Sequence, residues 1–108
     1  MNSILNSTKK FLGISSEYTQ FDADIIMHIN SVLMILNQIG VGKNIIIKDD
    51  TTVWDEFEPD IDEKPLVKSY VYMKVRTMFD PPTSGQVSES LQRAIAEAEW
   101  RLSISNDN

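Results

Sequence analysis

The stretch of residues 19–39 constrains the fold most, because its apolar side chains recur at the three- and four-residue spacing of an α-helix. One face of this helix carries Ile25, Ile29, Val32, Leu33, Leu36 and Ile39. A second set widens the apolar surface and consists of Ile26, Met27, Met34 and Ile35. A surface helix with one buried face needs less apolar surface than this. We therefore expect the helix either to lie in the centre of a bundle or to share a face with a partner.

Residues at the ends of the helical patterns indicate where the first two helices begin and end. For the long helix, Thr19 and Asp22 approximate an N-terminal capping box, and Gly40 follows its last apolar residue. A shorter amphipathic pattern predicts an earlier helix over residues 3–12. Gly13 then occupies the position just beyond that helix, where glycine commonly ends one.

The sequence FDPPTS, residues 79–84, separates two further helical patterns. Pro65 suits the first turn of the helix before it, where the missing N–H costs nothing. Pro81 and Pro82 cannot continue that helix, and they also restrict the residues that precede them. The pattern that follows predicts a last helix over residues 88–103, with a serine cap at its first position.

A long acidic loop is predicted between the second and third of these helices. Its residues 49–63 contain half of the sixteen carboxylates in the chain: Asp49, Asp50, Asp55, Glu56, Glu58, Asp60, Asp62 and Glu63. Trp54 and Phe57 lie among them, and we expect these aromatic rings to pin the loop through a turn of helix. A mostly irregular segment of about 20 residues is long for a compact domain, and such loops are usually functional or mobile.

Together these patterns predict one all-α domain over residues 1–108, a small bundle of about four helices with one long acidic loop. A hydrophobic content of 42% is enough for a modest core. The N-terminus lacks the order of parts of a signal peptide, and no segment approaches the ~20 apolar residues that cross a bilayer. We therefore expect a cytoplasmic protein that makes no contact with a membrane.

Catalytic and metal-binding chemistry has little support in the sequence. The absence of cysteine excludes disulfides, thiolate metal sites and thiol catalysis. His28, the single histidine, lies on the long helix without an evident second metal ligand, so we interpret it as an ordinary helix residue. Residues 49–63 lack the glycine of a calcium loop, and no glycine-rich phosphate loop or nucleophile with a base is evident. We expect no enzymatic activity, no catalytic residue, no metal and no cofactor.

Four stretches occur in an order and spacing that resemble a known family: YTQFDADIIMHINSVLMILNQIGVG, VWDEF, YVYMKVRTMFDPPTS and AEAEWRL. They are similar to the small head–tail connector (adaptor) proteins of long-tailed bacteriophages and their prophages. The resemblance extends over residues 18–102 and rests on the combination rather than on any catalytic motif.

The resemblance implies a structural role in completing the phage head. Such proteins form a ring under the portal after DNA packaging, extend the DNA channel, and present a surface to the head-closure or tail-completion protein. The implied partners are other copies of the chain, the portal protein and that next component, while DNA passes through without sequence-specific binding. The implied location is the head–tail junction of the virion, and the bacterial host cytoplasm before assembly. The implied fold is a small helical bundle.

Six residues are candidates for contacts between proteins: Trp54, Phe57, Pro81, Pro82, Trp100 and Arg101. Aromatic residues and arginine are enriched at interfaces, although tryptophan and phenylalanine are also common in protein cores. Trp100 points away from the centre of the apolar stripe on the last helix, which favours an interface. The two prolines fix the corner between the last two helices.

Other functions are compatible with part of the sequence. The net charge of −6 makes free nucleic acid a poor partner, which disfavours a helix-turn-helix DNA-binding protein. The main alternative is an acidic regulatory protein that mimics DNA and inhibits a basic partner through its acidic loop. An enzyme is a third. Oligomeric state distinguishes a DNA mimic from a connector, because a mimic stays small and a connector forms large rings.

Overall fold

The computed structural model describes residues 3–105, and helices form most of it. The five helices are α1 (Ile4–Phe11), α2 (Asp22–Gln38), α3 (Trp54–Phe57), α4 (Lys64–Phe79) and α5 (Gly85–Ser105). Within this described part, pairing between extended segments is limited to one isolated bridge, between Ser3 and Val53. The all-α class is confirmed. The count of about four helices becomes five because the turn of helix in the acidic loop is a helix of its own.

The helix α4 lies at the centre of the bundle and packs against α1, α2 and α5. Its fully buried residues are Val67, Tyr70, Val71 and Val75. The long helix α2 buries only one face, which consists of Ile25, Ile29, Val32, Leu33 and Leu36. Of the two roles that its wide apolar surface predicted, the central one therefore belongs to α4, and the second apolar face of α2 remains on the outside.

The last two helices form an antiparallel pair joined by residues 80–84. The α5 side chains that pack into the core are Ile95, Ala98 and Leu102. In the core, the Tyr70 hydroxyl donates a hydrogen bond to Glu99 Oε2 at 2.7 Å, which links α4 to α5. Burial raises the pKa of Tyr70, and the neighbouring Glu99 carboxylate raises it further. The phenol thus keeps its proton and remains a donor at neutral pH.

Two predicted helix starts are wrong. The helix α2 begins at Asp22 without a side-chain cap. Thr19 contributes only its backbone carbonyl, which accepts the Asp22 N–H at 3.2 Å. The last helix begins at Gly85, ahead of the predicted serine, and Ser84 caps it by accepting the Val87 N–H at 3.4 Å. At α5 several nearby polar residues are suitable caps, so residue type alone does not fix the boundary.

A buried lysine joins α1 to the beginning of α2. The Lys9 side chain is fully buried. Its Nζ donates to the carbonyl oxygens of Tyr18 at 2.8 Å and Ser16 at 3.2 Å, and it lies 2.7 Å from Asp22 Oδ1. The ammonium thus donates two hydrogen bonds to backbone carbonyls and balances its charge with the Asp22 carboxylate. The carboxylate that was expected to cap α2 is therefore engaged in an ion pair with α1.

The segment between α2 and α4 is held against the bundle at several points. Asn30 pairs with the backbone of Ile47 in both directions, because its Nδ2 donates to the carbonyl at 3.0 Å and its Oδ1 accepts the N–H at 2.9 Å. Residues 45–47 therefore form no β-strand; they are an irregular apolar segment that Asn30 holds against α2. Gly42 has a φ of +76°, and a Cβ atom there would lie 2.3 Å from Cζ of Phe57.

The contact between Gly42 and the Phe57 ring generates the first prediction. We expect Gly42→Ala to lower the free energy of unfolding by about 2–4 kcal/mol, because alanine is strained at positive φ and its methyl group would displace the ring. The matched control is Gly85→Ala, where a Cβ meets no atom within 4 Å and φ is not positive. Its effect should stay within about 0.5 kcal/mol of zero or be stabilising. Urea denaturation followed by tryptophan fluorescence measures both, and equal effects would contradict this account.

The buried ion pair generates a second prediction. Replacing Lys9 by methionine should destabilise the protein by about 2–4 kcal/mol, because two carbonyls lose their donor and the Asp22 carboxylate loses its opposite charge. Lys10→Met removes the same charge from an exposed neighbour and should change stability by less than about 0.5 kcal/mol. Urea midpoints at pH 7 compare the two variants. Equal losses would show that net charge matters, and that the buried pair does not.

Candidate assembly surfaces

Trp54 and Phe57 lie in the core of the subunit with 0% of their surface exposed. The indole N–H of Trp54 donates to Ser7 Oγ at 2.8 Å, and its ring packs edge-on against Tyr72 with centroids 5.9 Å apart. Sequence reasoning named both rings as interface candidates. That expectation is corrected in one respect: enclosed rings make no direct contact with a partner in this conformation. Their role is to hold the acidic loop on α1 and α4, as the predicted turn of helix implied.

Several carboxylates of the acidic loop accept hydrogen bonds from other groups of the same loop. Asp49 Oδ1 accepts the hydroxyl and the N–H of Thr51, and these two bonds lower the pKa of Asp49. Glu56 Oε2 accepts the Val53 N–H at 2.9 Å, and Asp55 pairs with Lys64 at the start of α4. These acidic side chains therefore shape local turns. A large apolar residue of the same segment, Ile61, is 79% exposed.

A groove follows the outer face of α2, and we call it the α2 groove. It lies between α2 and residues 44–46 and has a volume of about 640 Å³. Its apolar lining consists of Ala23, Ile26, Met27, Met34, Ile35, Ile45 and Ile46, and none of its other lining residues is charged. Met27, Met34 and Ile46 are 56%, 62% and 70% exposed. This is the second apolar face that the sequence predicted for the long helix.

A second exposed apolar surface lies on α5, and we call it the α5 ridge. It consists of Trp100, 64% exposed, and Ile104, 54% exposed. Helical positions advance by about 100° per residue, so both side chains point away from Ile95, on the core face of α5. The ion pair Glu97–Arg101, at 2.7 Å, lies beside the ridge, and a second pair, Glu89–Arg93 at 3.4 Å, lies two to three turns earlier on α5. Trp100 and Arg101 are thus available to a partner, as an interface role requires.

The proline corner lies at the end of α4 that follows Phe79. Pro81 is exposed and Pro82 is half-buried. The Phe79 ring contacts Phe21 at 5.4 Å and His28 at 6.4 Å between centroids, which fixes the end of α4 against the start of α2. His28 therefore has a packing partner, as expected for an ordinary helix residue.

Neither a metal site nor a membrane-spanning segment is found in the part of the chain that the structure describes. Among residues 3–105, no three histidine or carboxylate side chains are grouped so that they could hold a metal ion. None of the helices in that range combines the length and the hydropathy that crossing a membrane requires.

Comparison with known proteins identifies a family. The chain matches a family model described as "Phage connector protein" over residues 4–108. Comparison with curated proteins and with solved structures yields no significant match. The match extends over almost the whole chain, and the all-helical bundle agrees with the fold that the connector resemblance implied. The chain therefore belongs to the phage connector protein family, whose members are structural, non-enzymatic phage proteins.

Proposed function

We propose that this chain is a subunit of a ring adaptor that binds beneath the portal of a packaged phage head. The ring extends the DNA channel and joins the head to the head-closure or tail-completion protein. The observation that carries the proposal is the family match over residues 4–108. In the assembled state the protein resides at the head–tail junction of the virion, and before assembly it resides in the host cytoplasm.

The distribution of apolar surface supports an oligomeric role. Exposed apolar side chains that cluster, particularly in a groove, are typical of interaction sites, whereas singly scattered ones are common on any protein surface. This subunit presents two apolar surfaces that its own fold leaves open, the α2 groove and the α5 ridge. A ring subunit needs at least two contact surfaces, one for each neighbour.

The acidic loop supports a contact outside the ring. Trp54 and Phe57 hold the loop firmly on the bundle, while Ile61 projects between carboxylates. An exposed apolar residue framed by acidic side chains suits a partner with a basic rim around an apolar pocket. We assign this contact to the portal. The net charge of −6 also suits a DNA conduit, because a channel that bound phosphates would hinder passage.

The alternatives receive less support. A DNA mimic needs an acidic surface but no apolar groove, and several loop carboxylates here bind the loop itself. A helix-turn-helix protein needs a recognition helix on the outside, whereas the most basic helix, α4, is the central one. Enzymatic activity has neither a metal site in the described residues nor a family precedent, so we propose that the chain has none.

Binding to the portal is the direct test of the proposed function. Purified chain, with a mass of 12.3 kDa, should co-sediment with the purified portal ring of the same phage or prophage, in several copies for each ring. The comparison variant is Ile61→Asp, which should disrupt the portal contact but leave the core intact, because Ile61 is exposed. Its portal binding should be at least about tenfold weaker if the loop makes the contact. A chain that sediments apart from the portal at every concentration would contradict the proposal.

The proline corner generates a further prediction. The double variant Pro81→Ala/Pro82→Ala should remain folded, because the Tyr70–Glu99 bond and the α4–α5 packing hold the pair along its length. Each proline-to-alanine change should lower the free energy of unfolding by at most about 1 kcal/mol, because the unfolded chain gains conformational freedom. Assembly on the portal should decrease far more, since a small error in subunit shape recurs at every ring interface.

Circular dichroism and sedimentation together test this prediction. The matched control is Pro65→Ala, an exposed proline in the first turn of α4, outside both the corner and the acidic loop. If the double variant assembles on the portal as well as the control does, the prolines only end α4, and a rigid corner is not needed for assembly.

A further inference from the structure

We infer that copies of this chain join head to tail, with the α5 ridge of one copy docked in the α2 groove of the next. This inference rests on the proposed ring. It commits the groove to one occupant, a second copy, and it names the residues in contact: Trp100 and Ile104 against Met27, Met34 and Ile46.

The placement of the two surfaces is the first argument. The helices α2 and α5 both pack on α4, and the groove and the ridge lie on their outer faces. Trp100 and Ile104 point away from α4 and hence away from the groove of the same subunit. One subunit therefore cannot fill its own groove. Pairing of two different patches is heterologous, and it closes into a ring when the rotation between neighbours allows it.

Charge is the second argument for a second copy as the occupant. Each chain carries a net charge of −6, so two copies repel unless they meet through neutral surfaces. The groove lining contains no charged residue. On the other side of the contact, Glu97 and Arg101 beside the ridge neutralise each other at 2.7 Å. Ridge and groove can therefore meet without bringing an unpaired charge into the contact.

The chemistry of the groove is the third argument. Two of its three side-chain amides are already engaged: Asn30 binds the backbone of Ile47, and the Asn37 Nδ2 donates to the carbonyls of Val41 and Lys43. These donors therefore keep their hydrogen-bond partners when an apolar ridge displaces water from the groove. Methionine side chains adapt their shape to an incoming ring, and tryptophan is prominent among residues that dominate binding energy.

Disulfide trapping tests the pairing, and the absence of native cysteine makes it unambiguous. Met34→Cys and Ile104→Cys are placed on separate chains that carry tags of different size, mixed, and oxidised. Both positions are exposed, so the variants should fold, which circular dichroism verifies. Docking raises the effective thiol concentration from micromolar toward millimolar, so the mixed dimer should form at least about tenfold faster than in a control pair.

The matched control pair is Met34→Cys with Gln92→Cys, because Gln92 is exposed on α5 but lies off the ridge. Equal rates for both pairs would overturn the inference. Dimers of Met34→Cys with itself, formed faster than the mixed dimer, would also overturn it, because they would indicate a two-fold symmetric contact.

A second arm identifies the occupant in the complex with the portal. A photoreactive maleimide on Met34→Cys should link to a peptide that contains Trp100 of another copy. A link to the portal instead would assign the groove to the portal and overturn the pairing. The proposed function is judged separately, by co-sedimentation of the unmodified chain with the portal. Co-sedimentation without the expected cross-link would leave the function in place and refute only the pairing.

Discussion

The structure depends on the burial of α4 between the other helices. Its residues Val67, Tyr70, Val71 and Val75 have no exposed surface, and each buried apolar side chain contributes roughly 1.5–3 kcal/mol relative to exposure. This arrangement uses the inner faces of α2 and α5. Met27 and Met34 on the outer face of α2, and Trp100 and Ile104 on that of α5, then stay more than half exposed. In the proposed ring these faces form the contacts between neighbouring subunits.

The acidic loop is compatible with this bundle because apolar anchors oppose its charge repulsion. Half of the chain's carboxylates lie in residues 49–63, where like charges disfavour a compact arrangement. Trp54 and Phe57 offset that repulsion by burying large rings, and local hydrogen bonds from Thr51 and Val53 engage part of the carboxylate surface. The loop can thus be ordered in the subunit and still present acidic side chains to a partner.

Periodicity predicted the helices well, because apolar spacing reports directly on the buried face of each helix. It also predicted that Trp100 lies off the core face. The core position of Trp54 could not be predicted, since tryptophan suits cores and interfaces equally and its acceptor, Ser7, is distant in sequence. The burial of Lys9 had no signal at all: lysine is almost always exposed, and its acceptors follow seven to thirteen residues later.

The central claim is that this subunit forms a ring at the neck of a phage particle through the faces that its own fold leaves open. Electron cryo-microscopy of the neck, in particles of the phage or prophage that encodes the chain, tests it most directly. The account predicts a closed ring of this chain directly below the portal, with Trp100 of each copy against Met34 of its neighbour. A neck without this chain, or a ring in which both residues face solvent, would contradict it.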